Sequence, residues 1–573
     1  MRRFSISCSF VLIIAACAAP RARTETTVAQ PVAATPAPDS VARLARALDA
    51  PRTRADALAE LRARHDRALD AAGGDHDAEA VRAVVDGAAD PLARAYRATD
   101  DPVLGESILE LLVDMRTPRA WPAFEAALDW RPDLTETHAG LAARALAEQD
   151  SSEIPASVRA RALAAALLRI EGDRGVDNHM RIWMIRALGR ADDAASLEAL
   201  HRVMASEDPR QSFLTNRMAA QQLVELASPQ SVPHLVLALF RFPEGRPDMR
   251  MNDVAAEALL HIGRPALEPA LALLRGESSG ANAIAVDHVE AIRRIDPSIA
   301  ARMSASEEVR TQASLLLGML GLPEALEPLL SEAQRPEDGA RLSAAVALVG
   351  LSGLGEADRE RIRRTIERVY GQISDPRLRH SVLGAVQRTH DPRYVSFSSA
   401  IALDPDADLA LRSSALAAAT ALATGADAER LLRVMERETE LREPLAEQRA
   451  ALEATVRCDR DHACWRALLD ADDPRVARKA AQMLAQLGVR EAPAMQALLA
   501  QLPHPDVTVR LAVLEAIDRL CPNGCEAAID AIDALGDAEE GRSSWNAIRA
   551  GAMAVRGRQR LRLQEREESE RGL

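Results

Sequence analysis

From about Val41 onward, apolar residues return at every third or fourth position, in segments separated by short breaks at Pro, Gly and Asp. No run of alternating β-branched residues interrupts them. A period of 3.6 without a period of 2 predicts helices throughout, and the fold class is all-α. The segments also repeat one another at a near-constant spacing. Glu308-Val309-Arg310 and Gly339-Ala340-Arg341 each open an apolar helix, with their arginines 31 residues apart. Arg379 and Arg412 follow Asp-Pro turns and stand 33 apart, while Arg478 and Arg510 stand 32 apart. Earlier, Ala219 and Ala255 occupy matching positions at a spacing of 36. A fixed period of this size is the mark of stacked supersecondary units.

These residues resemble the HEAT repeat family, whose unit is an antiparallel helix pair. The family pattern has an Asp-Pro turn, Val-Arg at the start of the second helix, an Ala-Ala pair, an Ala-Leu-Gly end and a Pro before the next helix. The resemblance covers most of the chain from Asp101 to Leu520. His504 stands before Pro505 where the pattern has aspartate, and the segments before about residue 175 are degenerate. The resemblance implies an α-solenoid of stacked antiparallel helix pairs over residues 41–553. Roughly 14 units at about 10 Å each give a curved rod on the order of 140 Å. It also implies that Arg310, Arg341, Arg379, Arg412, Arg478 and Arg510 form a ladder of solvated structural pairs with acidic turns of neighbouring repeats. Residues 554–573, charged and without a wide apolar stripe, read as a tail that forms a fraying terminal helix or a polar cap.

The N-terminus carries an address. Arg2 and Arg3 precede an apolar stretch from Ile6 to Ala16, too short to span a bilayer, so residues 1–16 read as a signal peptide. Ile14-Ala15-Ala16-Cys17 resembles the lipobox of bacterial lipoproteins, which implies lipidation of Cys17. Ala18 follows where an inner-membrane lipoprotein commonly has aspartate, so the resemblance implies an outer-membrane lipoprotein in the cell envelope, facing the periplasm. Residues 17–40, rich in Pro, Ala and Thr, form a tether that would reach roughly 70 Å if polyproline-like.

Composition narrows the function. Removing the leader leaves 557 of the 573 residues, several times one compact core. Hydrophobic residues at 48% and charged residues at 27% are globular values, and aromatics at 3% are too few for base- or sugar-stacking platforms. The net charge of −14 becomes −16 once Arg2 and Arg3 leave, so nucleic acid is not an expected partner.

Motifs for chemistry fail on inspection. Lys479, the sole lysine, sits within a helix and cannot end a Walker loop. None of the 12 histidines precedes a glutamate, so the di-iron ligand pairs of some HEAT enzymes are missing. Asp404, Asp406 and Asp408 begin like a calcium loop, but Leu409 stands where Gly is needed and Ala415 where Glu is needed. Gly276-Glu277-Ser278-Ser279-Gly280 fits the nucleophile-elbow pattern but follows a helix instead of a strand. Catalytic residues, metal and cofactor are therefore expected to be none. Cys458, Cys464, Cys521 and Cys525 allow three pairings in an oxidising compartment. Short loops favour two local disulfides over a four-thiolate zinc site, which lacks a Cys-x-x-Cys pair.

The expected function is a monomeric, lipid-anchored envelope scaffold that binds a protein or peptide along its helical surface, without catalysis. The alternative is a HEAT-like enzyme or lyase acting on a small molecule. A pocket with perturbed ionisable groups would point to the second, and a smooth groove to the first.

Overall fold

The computed structural model describes residues 38–129, 137–148, 154–169, 178–190, 193–208, 211–297, 304–435, 438–539 and 541–571. Among them every regular element is a helix, and no helix is long and apolar enough to cross a membrane. The signal peptide, Cys17 and the tether up to residue 37 lie outside the described residues.

The chain divides into two compact units, Met1–Ala95 and Tyr96–Leu573, where the sequence pattern suggested one array from residue 41. In the first unit the helices Pro38–Ala47 and Arg54–Ala71 pack together, and Glu79–Arg97 continues unbroken through the boundary at Ala95. Its first helix therefore begins inside the span read as tether. Val41, Leu48, Leu61, Val81 and Leu92 are among its buried apolar residues. A Cβ on Gly87 would stand 2.7 Å from Val41 Cγ1, so the glycine permits that close packing.

The second unit is a two-layer helical-repeat solenoid. One layer runs through Pro102–Asp114, Thr137–Glu148, Asn178–Leu188, Phe213–Leu226, Asn252–Ile262, Ala305–Leu320, Asp338–Gly350, Pro376–Gln387, Leu409–Leu422, Arg442–Cys458, Pro474–Leu487 and Val507–Leu520, each packed on the next. The other layer holds helices such as Leu326–Glu332, Val395–Ala402 and Ala492–Ala500, each packed on the first-layer helix that follows it. Aspartates start many of these helices. Asp101 accepts from the Val103 N–H at 3.0 Å, Asp375 from Arg377 at 2.8 Å, Asp473 from Arg475 at 2.9 Å and Asp506 from Thr508 at 2.7 Å. Such a cap is worth about 1 kcal/mol, and proline suits the next position because its missing N–H would be unpaired anyway. Buried alanines, among them Ala313, Ala344, Ala415, Ala480 and Ala512, keep neighbouring helices close. Gly318 permits one such close approach: a Cβ there would lie 2.5 Å from Ala347 Cα.

The C-terminus departs from expectation. In place of a fraying tail beginning at residue 554, one helix, Ser543–Arg571, runs unbroken through that boundary. It packs on Val507–Leu520 and Glu526–Glu539, and also on the distant Asn252–Ile262 and Ala305–Leu320. Past residue 553 its buried face holds few large apolar side chains, only Val555 and Leu561, so a search for a wide apolar stripe passes over it. Ala552, Met553, Ala554, Val555 and Gly557 are buried, and a Cβ on Gly557 would lie 2.9 Å from the Leu260 carbonyl oxygen. Its arginines reach across too: Arg549 pairs with Glu257 at 2.5 Å, and Arg558 donates to the Met319 carbonyl at 2.8 Å. The solenoid thus curls until its last helix closes onto repeats more than 200 residues earlier.

Candidate functional site

That closure encloses a cavity of about 1460 Å³ within the second unit. Its walls are the ends of Ala305–Leu320 and Asp338–Gly350, the start of Glu356–Gln372, the turn at 388–394, Val507–Leu520 and the middle of the C-terminal helix. Nine arginines and six carboxylates line it, so positive charge is in local surplus in a chain of net charge −14.

Most of the carboxylates are already held. Asp518 receives Arg558 and Arg562, each at 2.9 Å, and Gln559 at 3.1 Å. Burial pulls the Asp518 carboxyl up, but the two guanidinium groups outweigh it and leave the group below the usual range. Asp391 pairs with Arg393 at 2.5 Å, and Glu356 meets Arg359 at 3.4 Å. Glu515 differs. Among the described residues no arginine or lysine lies within ion-pairing distance of it; the Nε2 of His390 is 3.8 Å away, and burial pushes the Glu515 carboxyl up to about 7 although 27% of its side chain still touches the cavity.

His390 is buried, hydrogen-bonds to the Gln482 backbone, and leaves Nε2 without a hydrogen-bond partner. Burial, then the nearby positive charge of Arg519 and Lys479, lowers it to about 3, so the ring is neutral near pH 7. Its backbone is left-handed, φ 51°, immediately before Asp391-Pro392. Other repeats place glycine at this position: Gly263 (φ 74°) before Arg264-Pro265 and Gly321 (φ 70°) before Leu322-Pro323. A side chain there costs roughly 1–2 kcal/mol. The substitution of histidine for the repeat's terminal glycine is the signal in the sequence that could have revealed this site. Lys479, also buried, donates to the Ala421 and Ala423 carbonyls at 2.9 Å each and so caps the end of Leu409–Leu422. Desolvation lowers its amine to about 7.

The ladder arginines lie near the starts of first-layer helices, and most bind ends of second-layer helices. Arg310 meets Glu332 at 3.1 Å, Arg341 meets Asp338 at 3.1 Å, and Arg379 donates to the Ile373 carbonyl at 2.8 Å. Arg412 donates to the Ala402 carbonyl at 3.0 Å and pairs with Glu440 at 2.6 Å; Arg510 pairs with Glu539 at 2.7 Å. Both arginines are buried, at 2% and 1% exposed; the Arg510–Glu539 pair is thereby largely withdrawn from water, whereas Glu440 stays exposed. Arg478 is desolvated beside Asp506, which lowers its guanidinium. None of the six lines the cavity.

Cys458 and Cys464 are joined across the turn after helix Arg442–Cys458, with Cα atoms 5.5 Å apart. Cys521 and Cys525 carry free thiols where a second bridge was expected; burial, then the neighbouring Cys525, pushes Cys521 up to about 12. Ser278 caps helix Ser279–Ile295 by accepting from Ala281, and Asp408 caps Leu409–Leu422 by accepting from Leu411. Among the described residues no group of three or more potential metal ligands converges.

No protein-family model matches the sequence, and no curated protein is similar to it in sequence. Among solved structures, the chain is similar to a mutant of Kap121p, with TM-score 0.46 and 12% identity over 87% of this chain and 55% of that one. Kap121p bound to Pho4p gives 0.44 and 13% over 90% and 54%. Human deoxyhypusine hydroxylase in complex with glycerol gives 0.21 and 16% over 64% and 96%. The chain thus spans about half the length of the Kap121p chains it matches, and scores below 0.5 carry no argument about partner or activity.

Proposed function

We propose that this protein is a HEAT-like scaffold of the bacterial cell envelope, anchored by lipid on Cys17, that binds a protein or peptide partner in the cavity of its second unit. The observation that carries this reading is the cavity's size and lining. At about 1460 Å³ it exceeds the ~300–1,000 Å³ of ordinary small-molecule sites, and nine arginines and six carboxylates are set into its otherwise largely apolar walls. A segment of polypeptide fills such a space with many modest contacts. Photo-crosslinking in intact envelopes tests it. A photoreactive residue at Leu354, in the wall, should capture a discrete protein, whereas one at Leu409, exposed and outside the cavity, should not. Equal capture from both positions, or none from Leu354, overturns the proposal.

One observation favours the alternative of chemistry on a small molecule. Glu515 near its titration midpoint at pH 7, beside a neutral His390, is an arrangement suited to proton transfer. The competing fact is that Lys479, the buried amine beside His390, donates to helix carbonyls and is held there as a cap.

A further inference from the structure

Positive charge in the cavity is not spread evenly, and its uncompensated part has an identifiable source. Asp391, Glu356 and Asp518 are matched by Arg393, Arg359, Arg558 and Arg562. Four further lining arginines, Arg388, Arg460, Arg490 and Arg519, make no ion pair among the described residues. All four remain open to water. Arg519 donates to the Thr389 carbonyl at 3.1 Å, which holds its guanidinium beside residue 388; desolvation, then the nearby Arg359, lowers its pKa, and Asp391, already paired with Arg393, offsets this only in part. Guanidinium groups crowded in this way repel one another unless an anion sits between them. The unpartnered Nε2 of His390, buried in the adjoining wall, is a second vacant polar position in the same place.

Arg460 and Arg490 form a second set, from the turns that follow helices Arg442–Cys458 and Pro474–Leu487. A compact anion meets one set, whereas a chain carrying several spaced carboxylates meets both. Arginine suits this task because its planar fork binds carboxylate through two parallel hydrogen bonds. Because the four stay open to water, each contact is modest and screened by salt, and their shared sign draws an anionic chain into the cavity against the acidic exterior.

We infer that Arg388 with Arg519, and Arg460 with Arg490, grip an acidic segment of the partner, a stretch of polypeptide bearing several aspartates or glutamates. This rests on the proposed peptide-binding function and specifies its ligand.

The test uses the purified full-length protein and a fluorescein-labelled ten-residue peptide of alternating glutamate and glycine, with a lysine–glycine peptide and citrate as comparators. The glutamate peptide should bind, its affinity should fall steeply between low and physiological salt, and the lysine peptide should not bind. The double variants Arg388→Gln/Arg519→Gln and Arg460→Gln/Arg490→Gln should each weaken binding about tenfold or more, while Arg388→Lys/Arg519→Lys, which keeps the charge, should lose less. Thermal melts matching the parent show that the variants are folded. Binding of citrate without the glutamate peptide, binding of the lysine peptide, or unchanged affinity in folded glutamine variants overturns the inference. Capture from Leu354 in envelopes separates the two claims. If the parent and both glutamine variants capture the same partner, the scaffold stands and the acidic ligand falls. If the peptide binds but nothing is captured, the acidic site stands and the scaffold falls.

Discussion

Glu515 shows how one residue ties the cavity to solution conditions. Its folded pKa, about 7, lies above the ordinary carboxyl value of 4.5 because burial disfavours the ionised form, although Arg388 and Arg558 oppose this and Asp518 reinforces it. Between those two values the folded protein retains a proton that the unfolded chain has released, so stability falls as pH rises through that window. The full cost above pH 7 is on the order of 3 kcal/mol. Glu515→Gln removes it. Urea melts should show parent and variant alike near pH 4.5 and the variant more stable at pH 8; a constant difference across that range would mean that Glu515 does not titrate as its surroundings demand. His390 is lowered to about 3, so its own linkage acts below pH 6.5 and adds stability as pH rises there. It is common to parent and variant and drops out of the comparison to first order. Neither residue stood out in the sequence. His390 reads as part of one more Asp-Pro turn and Glu515 as one more helical carboxylate, until the fold brings them within 3.8 Å across more than 120 residues.

At the scale of elements, local signals were legible where the physics is local. Asp-Pro turns became capped helix starts at Asp375 and Asp473, and the spacing of about 32 residues became the first layer of the solenoid. The division after Ala95 and the C-terminal helix were not legible, because both depend on contacts distant in sequence. Residues 554–573 looked like a polar tail because alanine, glycine, arginine and glutamine share their buried face with only Val555 and Leu561. Gly557 is the sharpest case: any side chain there meets the Leu260 carbonyl, and two packed backbones have little room to yield. Gly557→Leu should therefore lift Ser543–Arg571 from Asn252–Ile262, breaking the Arg549–Glu257 pair along with the apolar contact. Hydrogen exchange should accelerate in residues 252–262 and 305–320 and remain unchanged in 102–114, because each repeat of a solenoid mainly feels its neighbours. Uniform acceleration across the second unit would show that the closing helix is coupled to the whole array. Protection equal to the parent would mean the helices are not as close as described.

For the whole molecule, the decisive question is whether the folded units and the anchor are independent. The proposed lipid sits on Cys17, and the first described helix begins at Pro38, so about twenty residues rich in Pro, Ala and Thr separate them. A chain of that composition forms no packed core and transmits little strain. A single acyl chain holds a protein only marginally, whereas the several chains of a lipoprotein anchor make release negligible. Cys17→Ser should accordingly abolish anchoring while leaving both units intact. After envelope fractionation the parent should pellet with the outer membrane and the variant should appear in the released periplasmic fraction, with the same melting temperature once purified. If the variant still pellets, the attachment runs through the folded units instead, and the charged cavity would then have to be weighed as a contact with a membrane-bound partner. If it is released but melts lower, the segment before Pro38 packs on the first unit and is more than a tether.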